Sequence, residues 1–164
     1  NGISVMSYHT RLDDVNGGVN DELASMLGLR DVEPFGPDGE KMGRIGTLEK
    51  TMKFSDFAVL VRDILGCTSV LAADGGRFAH RIAVLGGSGS DFVEAARQSG
   101  ADTFLTGELG YHYLCDAPEK GMNLIAAGHF HTENPVCDRI AELVGEADPY
   151  IETDIFDSLS FDIV

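Results

Sequence analysis

Basic residues are scarce in this 164-residue chain: 12 Lys and Arg stand against 27 Asp and Glu, a net charge of −15. So acidic a surface is repelled by phosphate backbones, which argues against nucleic-acid binding through a broad basic face. Long apolar runs are missing too. No stretch approaches the length needed to span a bilayer and none reads as a secretory h-region, so no membrane partner is expected. Cys67, Cys115 and Cys137 stand far apart with no C-x-x-C spacing. An odd, scattered set argues against a disulfide framework and fits a reducing, cytoplasmic setting. P-loop and G-x-G-x-x-G spacings are absent, which leaves dinucleotide binding poorly supported. The Tyr and Phe residues fall at core-like positions and build no base-stacking platform. Short repeats and low-complexity segments are lacking.

What is present fits one α/β unit over residues 1–164. Hydrophobic residues make up 43% and charged residues 24%, an ordinary globular balance with enough chain to bury a core. ISVMSYH, from Ile3, reads as a short strand. VNDELASMLGL carries Val19, Leu23, Met26 and Leu27 at helical spacing, with Gly28 at the stop. Residues 30 to 42, rich in Pro and Gly, read as a surface loop. RIGTL is a strand; FSDFAVLVRDILG is a helix with Ser55 as candidate cap and Gly66 as its end. Beyond them SVLAA, HRIAVLGG, DTFLTG and NLIAAG read as strands. The helices between and after them are SDFVEAARQSG, capped by Ser90, then ELGYHYLCDAPEKG and NPVCDRIAELVGEA. This alternation predicts a layered α/β fold with a mostly parallel sheet and crossover helices.

The stretch GHFHTE, Gly128 to Glu133, concentrates two of the five histidines beside a glutamate. In a strand, His129 and His131 share a face; at a helix start, His129 and Glu133 are neighbours. The flanks decide for the helix start. NLIAAG is the strand, Gly128 permits a sharp exit, and Thr132 is a suitable N-cap. Pro135 falls in the first helical turn, where its missing N–H costs little. His129 then stands at the strand's carboxyl end, the edge where open α/β sheets bind ligands. Glu133 returns toward it, and His131 turns aside. A lone histidine is most often only a satisfied polar residue, but two imidazoles and a carboxylate at one edge suit a divalent metal.

SYHTRLDD repeats the layout, with His9 closing the first strand and Asp13 four residues on. TGELGYH offers Glu108 and His112 at another strand end. GGSGSD joins a strand to a helix N-terminus, which makes Gly87, Ser88 and Gly89 candidates for holding a phosphate. A tight turn needing Gly at positive φ explains them equally well. His80 reads as structural or exposed.

HTRLDDVNGGVNDELASMLGL, GRIG, GGSGSDFVEAA, TGELGYH and GHFHTE stand here in the order seen in the Nif-three-like dinuclear-metal family, also known as GTP cyclohydrolase I type 2 homologues. Over most of its length the chain resembles that family. The resemblance implies an α/β fold, a ring-shaped homohexamer and two divalent metal ions per subunit, with Asp13, His129 and Glu133 as ligands. The family's two further ligands are adjacent histidines upstream of the HTRLD segment. This sequence has no His-His pair, so it is expected to be the carboxyl-terminal part of a longer protein, holding metal incompletely by itself.

The expected activity is therefore that of a dinuclear metal-dependent hydrolase acting on a nucleotide or other phosphate-containing small molecule. Mixed nitrogen and oxygen ligation suits zinc, iron, manganese or cobalt alike. Two other classes remain: a non-catalytic metal-binding hexameric scaffold that acts through partner proteins, and a phosphate-ligand sensor built on the GGSG turn.

Overall fold

The structure, a computed structural model, describes residues 2–7 and 9–156. Ile82, Ala83, Val84 and Leu85 are all buried, so the strand that carries them is covered on both faces, as continuous apolar runs predict. This strand, β4 (Ala79–Ser88), lies within a six-stranded sheet among the described residues. The other strands are β1 (Arg30–Phe35), β2 (Gly43–Met52), β3 (Leu71–Ala73), β5 (Thr103–Glu108) and β6 (Asn123–Ala126), and the order is β1-β2-β4-β5-β6-β3. β4, β5 and β6 run parallel to one another, while β1–β2, β2–β4 and β3–β6 pair antiparallel.

The helices are α1 (Val19–Met26), α2 (Phe54–Ile64), α3 (Val93–Gln98), α4 (Tyr111–Lys120), α5 (His129–Glu133) and α6 (Val136–Ala147). Alternation along β4 divides them between two faces. Ile82 and Val84 join Leu23 of α1 and Phe57 and Val61 of α2 in one core. Ala83 and Leu85 join Val93 and Ala96 of α3 and Ala117 of α4 in the other. The crossovers β4-α3-β5 and β5-α4-β6 thus stack on the same side. Buried polar side chains fasten the amino ends of these strands. Asp102 accepts the N–H groups of His80 and Arg81, and Asn123 accepts that of Gly75. His80 itself is exposed.

The α/β class and its crossover helices match the sequence pattern, with four differences. The sheet expected to be mostly parallel is parallel only at its centre. Residues 2–7 form no strand and are exposed, so the strand expected from Ile3 is not there, and its Tyr8 lies outside the described residues. Residues 30–35 are an edge strand rather than loop; Pro34 is tolerated there because an edge leaves one row of N–H groups unpaired. Ser55, Ser90 and Thr132 make no cap hydrogen bond to their own helices' first turns. Among the described residues no helix is long and apolar enough to cross a membrane, and Cys67, Cys115 and Cys137 are all free.

Candidate functional site

Three parallel strands end together, and the chain leaving each end meets the other two. Gly128, at φ 92°, caps α5 so that the helix starts immediately beyond β6. Its N–H donates to Gly107 O at 2.9 Å, holding the helix start against the end of β5. Gly107 must lack a side chain: a Cβ there would come within 2.6 Å of Gly87 O and 2.9 Å of His129 Cα. Thr132 completes the junction. Almost fully buried, its Oγ1 accepts the Gly87 N–H at 3.1 Å and shares its own hydrogen with the carbonyls of Gly128 and His129.

This seating decides how the side chains of α5 meet. His129 Nε2 lies 3.1 Å from Glu133 Oε1, four residues on. His129 Nδ1 lies 3.1 Å from Glu108 Oε1 at the end of β5. The imidazole is thus held between two carboxylates, and about half of its side-chain surface is exposed at the sheet edge.

Asp13 reaches the same edge from the amino-terminal side. The Asn20 amide, buried in α1, donates to Asp13 O at 3.1 Å and to Met42 O at 2.9 Å. Its Oδ1 accepts the Gly86 N–H at 2.7 Å. Burial pushes the Asp13 carboxyl above its ordinary range and the charge of Glu133 pushes it further; His9 and His129 pull it back. Asp13, Glu133, His9 and His129 therefore share one electrostatic neighbourhood.

His9 enters that neighbourhood from a 3-10 turn, His9–Arg11, not from the end of a strand as the sequence suggested. His131 sets its ring edge against Phe130 at 5.6 Å between centroids, and His112 stacks on Tyr113 at 4.2 Å. The GGSG turn is bonded into the junction. The Gly86, Gly87 and Gly89 amides donate to Asn20 Oδ1, Thr132 Oγ1 and Glu108 O, so the amides of Gly87 and Gly89, two of the three phosphate candidates, are engaged internally. Ser88 is exposed.

The donor set fits a divalent cation in part. Two atoms 3.1 Å apart, such as His129 Nε2 and Glu133 Oε1, can both lie about 2.1 Å from one shared ion. Asp13 is close enough to feel their charge, yet among the described residues no three His, Cys, Asp or Glu side chains converge tightly enough to hold an ion. Two residues that organise the site, Asn20 and Thr132, were not read as such from the sequence. Asn20 had a detectable signal, because it occupies the buried stripe of α1 with Leu23, Ala24 and Leu27, where a polar residue must have partners. Thr132 was noticed for the wrong role.

Comparisons with known proteins give the family and the fold. The profile of the family described as Duf34/NIF3 (NGG1p interacting factor 3) matches residues 1–158. A Nostoc sp. protein named GTP cyclohydrolase 1 type 2 homolog is 37% identical over 145 residues, covering 85% of this chain and 55% of the relative. A Clostridium perfringens protein of the same name is 36% identical over 152 residues, covering 89% and 58%. The chain thus spans just over half the length of these relatives. Among solved structures, a Staphylococcus aureus protein superposes with a TM-score of 0.83 at 22% identity, over 97% of this chain and 69% of that one. At that identity the likeness shows the fold alone.

Proposed function

The chain belongs to the DUF34/NIF3 family, and from that premise we propose that Asp13, His129 and Glu133 bind a divalent metal ion in a hydrolytic centre. The 3.1 Å approach of His129 Nε2 to Glu133 Oε1 supports this most directly. Burial first, and the charge of the Glu133 carboxylate second, favour protonation of Asp13. A cation near two acids that feel each other's charge relieves their repulsion.

Glu133 and His129 would offer the Oε1 and Nε2 donors, and Asp13 the third. The centre expected of the whole protein holds two such ions. When bound, these supply Lewis acidity for hydrolysis. The chain's own groups do the rest. α5 fixes the donor spacing, Asn20 holds the Asp13 segment, and the His129 ring stays half-exposed at the edge. A nucleotide is the first substrate class to test, because the relatives carry the name GTP cyclohydrolase 1 type 2 homolog. Bare carboxylates and a chain of net charge −15 would repel its phosphates, so binding should depend on cation. Assembly into a homohexamer belongs to the same proposal.

Calorimetric titration with zinc and manganese, followed by a hydrolysis screen over nucleoside triphosphates and phosphoesters, tests it. Metal binding lost in Asp13→Asn together with metal-dependent turnover is the expected result. Binding without turnover on any substrate would assign a scaffold instead, and no binding would remove the proposal.

A further inference from the structure

We infer that Glu108 is a positioning residue: it accepts the Nδ1–H of His129 and so holds the ring with the Nε2 lone pair facing Glu133. The ring has two nitrogens, each 3.1 Å from a carboxylate oxygen. A ring with one proton can donate to only one of them. If the proton sits on Nδ1, the Glu108 contact is a hydrogen bond, and Nε2 meets Glu133 Oε1 as two lone pairs with room for a cation. If it sits on Nε2, that gap is closed by the proton and Glu108 faces an unprotonated nitrogen.

The scaffold favours the first arrangement. Glu108 ends β5, a strand buried from Thr103 to Gly107, and its own carbonyl accepts the Gly89 N–H, so its backbone is fixed. Glu133 is on the same short helix as His129 and is the donor proposed for the ion. A carboxylate on the far nitrogen is the usual means of setting the tautomer of a metal-binding histidine. Glu108 is more exposed than His129, at 58% against 49% of side-chain surface. Replacing it therefore removes no core contact.

The inference rests on the proposed metal site, but the tautomer is measurable without metal. Nitrogen-15 spectra of the metal-free chain, at a pH high enough to leave the ring one proton, should show His129 protonated on Nδ1. Glu108→Gln keeps a carbonyl oxygen that can accept this hydrogen and should preserve the tautomer. Glu108→Ala leaves Glu133 as the one carboxylate in contact with the ring among the described residues, so the proton should move toward Nε2. Zinc affinity should fall about 10–100-fold in Glu108→Ala and less in Glu108→Gln. A wild-type ring protonated on Nε2, or a tautomer indifferent to Glu108→Ala, overturns the inference. A tautomer that responds as expected in a chain that binds no zinc would uphold the positioning role and remove the metal proposal.

Discussion

Asn20 and Gly86, 66 residues apart, are joined by a 2.7 Å hydrogen bond from the Gly86 amide to the Asn20 side chain. The same side chain donates to the carbonyls of Asp13 and Met42. One buried amide thus ties the Asp13 segment, the start of β2 and the end of β4 to α1. Asn20→Leu removes all three bonds at similar volume. Asn20→Asp keeps an acceptor but cannot donate. Each buried group left unpaired costs about 1–3 kcal/mol, so both variants should unfold at clearly lower urea concentration than the wild type. A change within about 0.5 kcal/mol, the ordinary surface effect, would show that these bonds do not hold the segment.

Asp13 sets a pH dependence whose sign follows from its raised pKa. For an acid raised on folding, the native state binds the proton more tightly than the unfolded chain. Its favourable contribution is complete below the unfolded value of 3.8 and is lost as pH rises through the folded pKa. In the presence of a chelator, Asp13→Asn should therefore melt higher than wild type at neutral pH, and the difference should shrink toward acid. Thermal melts of both proteins between pH 3 and 8 provide the check. Wild type gaining on the variant as pH rises would mean that Asp13 is stabilised as the anion.

The sequence made the parts of the fold that depend on local spacing readable. Apolar runs with Gly stops located β4, β5, β6 and their crossovers, because buried central strands and capped helices leave marks within ten residues. The pairing of His129 with Glu133 was readable for the same reason: a Gly exit followed by a helix fixes four-residue neighbours. What failed depended on partners distant in sequence. Ile3 and Val5 alternate like a strand, but a strand exists only as part of a sheet's ladder, and residues 2–7 are not in a strand. Pro34 suggested a loop because a sequence does not say which strands are edges. Thr132 resembled a cap, yet its hydroxyl serves Gly87, 45 residues away. The contact of Glu108 with His129 spans 21 residues, and only the sheet order reveals it.

Gly87 tests whether the turn is a packing device. It sits at φ 71°, and an added Cβ would strike Glu133 Oε1 and come within 3.2 Å of His129 Nε2. Gly87→Ala should lose about 1–2 kcal/mol from the left-handed backbone alone and displace Glu133 from His129. Melting temperature and zinc affinity should fall together. If affinity falls for nucleotide but not for zinc, the turn would instead be a phosphate contact.

The two histidines of the helix start should separate cleanly in a metal assay. His129 lies between Glu108 and Glu133, whereas His131, two residues on, is turned by roughly 200° about the helix and packs its ring edge on Phe130. Neither ring is fully buried, so alanine at either position should leave the fold intact, as circular dichroism would verify. His129→Ala removes one of the two donors already converging and should abolish zinc binding or weaken it by at least about tenfold, roughly 1.4 kcal/mol. His131→Ala should leave both stoichiometry and affinity close to wild type. If His131→Ala lost the metal and His129→Ala kept it, the donor edge would lie on the other side of α5, and the 3.1 Å pair would be an ordinary surface contact.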